Sequence, residues 1–189
     1  MGEIASASNS DPVIVVPYSA EWPERFRALG GELRRALGDV AVRIDHIGST
    51  SVPGLAAKPV IDIQVSVESL EPFEPIRRPL EGIGYIWRFD NPDLTKRYFR
   101  ERPGTARTHI HVRRQGSWSE QVALLFRDYL RCHPDSAAEY ASVKRSLAER
   151  YRYQRTSYVA AKEPFIWDIL RAGSEWSQAV GWEPGKTDA

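Results

Sequence analysis

The chain has one cysteine, Cys132, and one methionine. Its uncharged apolar runs all fall short of the roughly 18 residues that a membrane-spanning helix needs. A lone thiol excludes a disulfide framework and a cysteine-type zinc site, and it suits a reducing, cytoplasmic compartment. The opening MGEIASASNSDP carries Glu3 and no apolar core, so it does not read as a signal peptide. An excess of charge is also missing. Lys and Arg number 26 against 25 Asp and Glu, for a net charge of +1 and an isoelectric point near 7.9. That falls short of a broad electrostatic grip on nucleic acid, and no helix-turn-helix or RNA-recognition motif is found. Aromatics do interleave with basic residues at Tyr98, Phe99, Tyr151, Tyr153 and Tyr158, but they fit the apolar stripes of a core. Nucleic acid and membrane are therefore not expected partners. What is present is ample core material: 189 residues, 42% hydrophobic. A chain of this length can bury roughly 70% of its unfolded surface in a single domain.

The even balance conceals a division. Residues 1–95 hold 9 basic and 14 acidic residues, a charge of −5, whereas residues 96–189 hold 17 and 11, a charge of +6. Most of the excess lies in 96–162, with 15 basic against 6 acidic residues. Such asymmetry suggests a surface for anions, although solvated faces of Arg-rich helices would also produce it.

Residues 1–11 are small and polar and read as a disordered tail. VIVVPY (13–18) is a short β-type run. From Ser19 the spacing of Trp22, Phe26, Leu29, Leu33 and Leu37 predicts a helix, weakened in its middle by Gly30 and Gly31. VAVRIDHIG (40–48) and VIDIQVSV (60–67) read as strands. In the second, Ile61, Ile63, Val65 and Val67 face a core, which leaves Asp62 and Gln64 on the open face. SLEPFEPIRRPLEGIG predicts a Pro-interrupted helix. YIWRFD (85–90), RYFRE (97–101) and THIHVRR (108–114) are three further strand candidates, separated by turn residues.

After Gly116 the period is helical. SWSE (117–120) and SAAE (136–139) read as capping boxes. The first helix carries an apolar stripe of Trp118, Val122, Leu125, Phe126 and Tyr129. The second carries Tyr140, Val143, Leu147 and Tyr151. A third starts near Thr156, and the tail from Ser174 reads as irregular. The order predicts an α+β fold, with a mixed sheet of about five strands, helices on one face and a C-terminal helical extension. Residues 12–173 form the domain, divided into a sheet-bearing part (12–116) and a helical part (117–173).

The stretch 45–67 carries the chemistry. A Gly-Ser turn can cradle phosphate with backbone N–H groups and the hydroxyls of Ser49, Thr50 and Ser51. Asp62 on the next strand could hold a metal that bridges phosphate oxygens. A capped short helix followed by one exposed strand Asp would give the same pattern.

HIGSTSVPGLAAKPVIDI resembles the signature of the GrpB family, a group within the nucleotidyltransferase-like superfamily. VPYSAEWPERF, RTHIHV, FRDYLRCHPDSAAEYASVKRSLA and YVAAKEPFIWDIL resemble further blocks of that family, in order, over roughly residues 13–172. In some actinobacterial chains such a domain follows a dephospho-coenzyme A kinase domain, and here it is read as standing alone. The resemblance implies Gly48 and Ser49 at the phosphate turn, with Asp62 as the first superfamily acid. At the second acid position stands Gln64, and the strand placed to give the third carries His109 and His111 instead.

These departures put a two-magnesium centre in doubt, because an amide cannot bridge two ions as a carboxylate does. Should His46, Asp62 and His111 or His109 converge, they would form a mixed imidazole and carboxylate site for a divalent ion such as Mg²⁺, Mn²⁺ or Zn²⁺, with imidazole favouring the transition metals. Alternatively, one histidine acts as a general base. Asp62, His109 and His111 are thus the candidate catalytic residues, while His133 reads as structural. Gly48, Ser49, Thr50, Ser51, Lys58, Arg127, Lys144 and Lys162 are the candidate phosphate ligands, with Arg97, Arg100 and Arg107 at the rim. The expected ligand is a nucleotide or other phosphorylated small molecule, with nucleotidyl transfer to a small acceptor as the activity. A non-catalytic ligand-sensing module, or an enzyme using a histidine base for other chemistry, would use the same pocket.

Overall fold

The structure, a computed structural model, describes residues 11–189. All but the last residue of the expected N-terminal tail lies outside the described residues. β1 (Arg43–Ile47) pairs antiparallel with β2 (Ile61–Val67), and β2 pairs parallel with β5 (Thr108–Arg114). β4 (Lys96–Arg100) and the two-residue β3 (Ile86–Trp87) complete a mixed sheet in the order β1-β2-β5-β4-β3. The strand expected over 85–90 contracts to β3.

Helices α1 (Glu21–Leu37) and α2 (Glu74–Gly82) cover the apolar face of this sheet. Trp22, Phe26, Leu33 and Leu37 of α1 and Ile76 and Leu80 of α2 are buried against Ile61, Ile63, Val65 and Val67. Fully burying each such side chain contributes on the order of 1.5–3 kcal/mol. The Ser19 hydroxyl accepts the Glu21 N–H at 3.2 Å just ahead of α1, whose N-cap position is Ala20.

The chain then supplies α3 (Trp118–Cys132), α4 (Pro134–Arg150) and α5 (Arg155–Val180). α3 folds back over the polar face, so the open face expected for β2 is closed beyond Asp62. Gln64 and Ser66 are fully buried. Ser66 Oγ donates to Glu120 Oε1 at 2.5 Å, and Gln64 Nε2 donates to the Glu120 carbonyl at 3.3 Å. Glu120 also accepts the Gly116 N–H at 2.7 Å, and the Ser117 hydroxyl makes no cap, so SWSE is not a reciprocal capping box.

Other boundaries differ too. Trp118 is 77% exposed, because the inner face of α3 is carried by Glu120, Leu124, Arg127 and Leu130. α4 opens on Pro134, whose fixed φ suits the first helical position, and SAAE lies inside it. The tail expected to be irregular from Ser174 continues as α5 to Val180, where Gly181 ends it in the left-handed conformation. Thr187–Ala189 then run along the free edge of β1. Asp188 and Ala189 N–H groups donate to the Ile44 carbonyl at 3.1 Å, and Thr187 Oγ1 accepts the Ile44 N–H at 2.9 Å. This segment occupies an edge that would otherwise be open to pairing. It also accounts for Gly30, where a Cβ would lie 2.7 Å from Ala189 Cβ.

Beneath α3 lies a buried ionic cluster. Asp45 takes two hydrogen bonds from Arg43, at 2.7 and 2.8 Å. Arg127 reaches Asp45 at 3.4 Å, Asp128 at 2.7 Å, Asp188 at 2.8 Å and the His46 carbonyl at 3.3 Å. Arg127 is therefore held by carboxylates and does not line the phosphate pocket expected of it. Removing one partner of such a cluster leaves buried charge uncompensated. Arg127→Met should lower stability by about 3–5 kcal/mol in urea unfolding, whereas Arg171→Met, from an exposed pair with Asp168, should cost less than about 1 kcal/mol.

Candidate functional site

Gly48 opens the site. Its φ of +69° and the Cβ it lacks both matter, since an added Cβ would sit 2.9 Å from Asp62 Oδ2. Glycine is thus required for the turn and for close approach of the Asp62 carboxylate. The following Ser49–Ser51 make one 3-10 turn. Two of its hydroxyls are used within the protein: Thr50 Oγ1 donates to the Val60 carbonyl at 3.0 Å, and Ser51 Oγ donates to the Gly48 carbonyl at 2.6 Å. Thr50 and Ser51 brace the turn, and of the two only Thr50 lines the cavity described below. Ser49, half-buried, reaches the cavity.

Strand register assembles the centre. Asp62 lies opposite His109 in the parallel β2–β5 pair, and His111 follows on the same face. His109 Nδ1 is 3.0 Å and His111 Nε2 3.4 Å from Asp62 Oδ1. Burial alone would raise the Asp62 pKa, but hydrogen bonds from the two imidazoles outweigh it and hold the carboxyl well below the usual carboxylate range. Burial pushes His111 down to about 4 against the opposing pull of Asp62, so His111 is neutral at pH 7. The Tyr98 ring, on β4, flanks both imidazoles with centroids 5.6 and 5.1 Å away.

His46, expected to join this group, does not. It pairs with Ile63 in the β1–β2 register and therefore lies on the apolar face. There its ring stacks on Phe26 at 4.8 Å. Its Nε2 donates to Thr50 Oγ1 at 3.0 Å, because that hydroxyl spends its own proton on Val60. Burial and then the charge of Arg131 lower its pKa to about 4. His133 is structural as expected: its Nδ1 lies 2.8 Å from the Tyr129 carbonyl and its ring stacks on Tyr129. Gln64, at the second acid position, has its amide oxygen held by Arg113 Nη1 at 2.5 Å.

Beside Asp62 opens a cavity of about 150 Å³ lined by Ser49, Thr50, Lys58, His109, Tyr158 and five basic side chains in all: Lys58, Arg107, Lys144, Arg155 and Lys162. Asp62 is the one carboxylate among the lining residues. Lys58, Lys144 and Lys162, three of the candidate phosphate ligands, thus line one cavity. Arg107 reaches the cavity from the rim, and its Nε and Nη2 are buried with no hydrogen-bond partner among the described residues. Arg100 sits on the same face of β4, opposite His109, whereas Arg97 pairs with Val112 on the apolar face and bonds Glu71 at 2.6 Å, so it is not part of the rim.

The cations crowd one another. Burial, then the charges of Arg155, Lys162 and Arg107, depress Lys58 to about 8. Burial, then Lys162 and Arg145, depress Lys144 to about 7, and its Nζ donates to the Ala56 carbonyl. A second cavity of about 310 Å³ lies on the other side of Asp62, walled by Ile47, Val122, Phe126, Tyr140, Ile166 and Leu170. Ser49, Asp62 and Lys162 line both cavities. Sequence reasoning overlooked Arg155. The available signal was its spacing on α5, since Arg155, Tyr158 and Lys162 fall at i, i+3 and i+7 and share one helix face.

This mixed sheet, with α1 and α2 on one face and α3 on the other, has a nucleotidyltransferase-like fold. Among solved structures, one of Cid1, described in connection with its RNA terminal uridylyl transferase activity, superposes with a TM-score of 0.52 over 71% of this chain and 44% of that one, at 18% identity. At that identity the likeness is one of fold. The GrpB protein family model matches residues 12–172, and the chain belongs to that family. The crystal structure of GrpB from Enterococcus faecalis superposes with a TM-score of 0.79 at 33% identity, covering 86% of this chain and 99% of that one. The UPF0157 protein PA4798 of Pseudomonas aeruginosa is 39% identical over 173 residues, covering 89% of this chain and 71% of that protein. A dephospho-CoA kinase of Mycolicibacterium paratuberculosis is 36% identical over 198 residues, covering 92% of this chain but 49% of the kinase. The chain thus spans about half the length of the curated kinase it matches.

The lysine pKa directions give opposite pH trends for stability and for anion binding. Unfolded lysines keep their protons to about 10.5, so over pH 7–9 the unfolded chain binds more protons than the folded one. The melting temperature of the ligand-free protein should therefore rise with pH across that window. Deprotonated Lys144 and Lys58 no longer attract an anion, so the further increment given by millimolar sulfate, which stays divalent throughout, should shrink. Lys144→Met should flatten both trends in thermal unfolding at pH 6.5, 7.5 and 8.5.

Proposed function

We propose that this protein is a cytoplasmic, nucleotidyltransferase-like protein that binds a nucleotide or another phosphorylated small molecule. The phosphoryl group enters the basic cavity beside Asp62, and a small acceptor of a nucleotidyl group occupies the apolar cavity on its other side. One observation carries this reading. Five buried or half-buried cations line a cavity with Asp62 as its one lining carboxylate, and Arg107, whose nearest carboxylate is Glu101 at 3.7 Å, has two buried guanidinium nitrogens without a hydrogen-bond partner among the described residues. Like charges gathered out of water are unfavourable by themselves, and an anion with several acceptor oxygens relieves that cost. The small cavity favours a small molecule over nucleic acid.

A magnesium pair does not fit the residues present. The centre has one carboxylate, and Gln64 is buried and engaged by Arg113 and Glu120. That same replacement favours a second reading, a module that binds the ligand without turning it over.

Each of Arg107→Ala, Arg155→Ala and Lys162→Ala removes a charge-assisted contact worth about 1.5–3 kcal/mol. Each should therefore weaken binding of a nucleoside triphosphate by roughly 10- to 150-fold, read by calorimetry or thermal shift. Failure of every nucleotide and sugar phosphate to bind at millimolar concentration would sink the proposal. Binding without label transfer to any hydroxyl or amine acceptor would select the non-catalytic module.

A further inference from the structure

We infer that Asp62, His109 and His111 form a site for one divalent transition-metal ion of the zinc or cobalt type, in place of a magnesium pair. The inference deepens the reading above by naming the cofactor of Asp62. It rests on that reading only for what the ion would act on, and not for its own binding.

The donor atoms are already gathered. One ligand atom from each of the three residues lies within 4.8 Å of the others. The separations from Asp62 Oδ1 are 3.0 Å to His109 Nδ1 and 3.4 Å to His111 Nε2. Adjacent ligands around an ion with bonds of about 2.1 Å lie about 3.0 Å apart at a right angle and about 3.4 Å apart at the tetrahedral angle. The histidines present different ring nitrogens because one stands directly beside Asp62 in the register and the other two residues along the same face. Without an ion, the Asp62 carboxylate can hold both rings by hydrogen bonds, so the donors are positioned before metal arrives.

Donor chemistry selects the ion. Two imidazoles and one carboxylate suit zinc, cobalt, nickel, manganese or ferrous iron, whereas magnesium demands oxygen ligands and near-octahedral geometry. Three protein ligands leave coordination positions open, and Asp62 borders both cavities. The outer nitrogens, His109 Nε2 and His111 Nδ1, are buried without a partner among the described residues. Ligating histidines ordinarily donate that outer N–H to an acceptor, whose absence weakens binding by roughly 10- to 100-fold. The site should therefore bind more weakly than a structural zinc site.

The test uses chelator-stripped protein and no phosphorylated ligand. Cobalt titration should give visible ligand-field absorption saturating at one ion per chain, displaced by zinc, with no competition from equimolar magnesium. Asp62→Asn, His109→Ala and His111→Ala should each weaken cobalt binding at least tenfold, and His46→Gln should leave it unchanged. If an alanine variant does not fold, as judged by circular dichroism, the glutamine variant at the same position replaces it. Lack of cobalt and zinc binding at millimolar concentration would overturn the site. So would one-to-one binding indifferent to both histidine substitutions, or magnesium competing equally with cobalt. A protein that takes sulfate or nucleotide but no cobalt refutes the metal site alone, and one that takes cobalt but no phosphorylated ligand refutes the anion reading alone.

Discussion

β2 is paired on both edges, antiparallel with β1 and parallel with β5, and the rest of the molecule depends on that pairing. Because successive side chains of a strand point to opposite faces, the register divides β2 into two sets. Ile61, Ile63, Val65 and Val67 meet α1 and α2 and make the principal core. Asp62, Gln64 and Ser66 meet the Gly48 turn, β5 and α3. A slip of one residue would send Asp62 into the hydrocarbon core and strand four aliphatic side chains on the polar face. The large energy of the core thereby fixes the small distances at Asp62. Gly48 contributes the other constraint, because any larger residue would collide with the Asp62 carboxylate.

The polar face contains two electrostatic regimes a short way apart. Under α3 the cations are matched: Arg43 and Arg127 share Asp45, and Arg127 also holds Asp128 and Asp188. With Arg131 also 3.8 Å from Asp128, three guanidinium groups face three carboxylates there, and the result is attachment of α3 and the C-terminal residues to β1. Around the cavity beside Asp62 the cations outnumber the carboxylates, with Asp62 on the lining and Glu101 3.7 Å from Arg107, and burial and mutual repulsion depress Lys58, Lys144, Lys162 and Arg155. A folded protein retains such crowding at a cost to its own stability, which is a common property of sites shaped for a ligand. The division of charge along the sequence is thus only loosely a division in space. The acidic half brings Asp62 but also Lys58, and the basic half brings the cavity's other cations as well as Arg127.

Much of the framework was legible in the residue order. The α1 stripe, the alternation of β2, the turn residues flanking β4 and β5 and the switch to helical period after Gly116 all rest on local rules of period and punctuation. The differences share a cause. Trp118 falls in an apolar stripe by size and spacing, yet α3 turns toward the sheet the side that carries Glu120 and Arg127, whose polar groups find partners there. The tail beyond Ser174 looked irregular because its tryptophans, glycines and proline carry no clear period. It continues as helix through packing on α3, and its last residues are ordered by the edge of β1.

The site shows the same division. The glycine-serine turn, Asp62, the two histidines of THIHVRR and the basic excess of the second half were determined by the sequence alone, because they are matters of residue type and short spacing. Tertiary structure decided which of them meet. His46 and His111 are equally histidines on strands, but His46 pairs with Ile63 and stacks on Phe26, whereas His111 faces Asp62. Arg127 and Arg155 are equally arginines on helices, but one is enclosed by three carboxylates and the other faces a cavity of like charge. The reason is that a side chain's period along its own strand or helix fixes only which neighbours it shares a face with. The groups a side chain or backbone N–H meets come from distant segments, as with the Asp188 carboxylate that takes the His46 N–H from 142 residues away, and only folding brings them together.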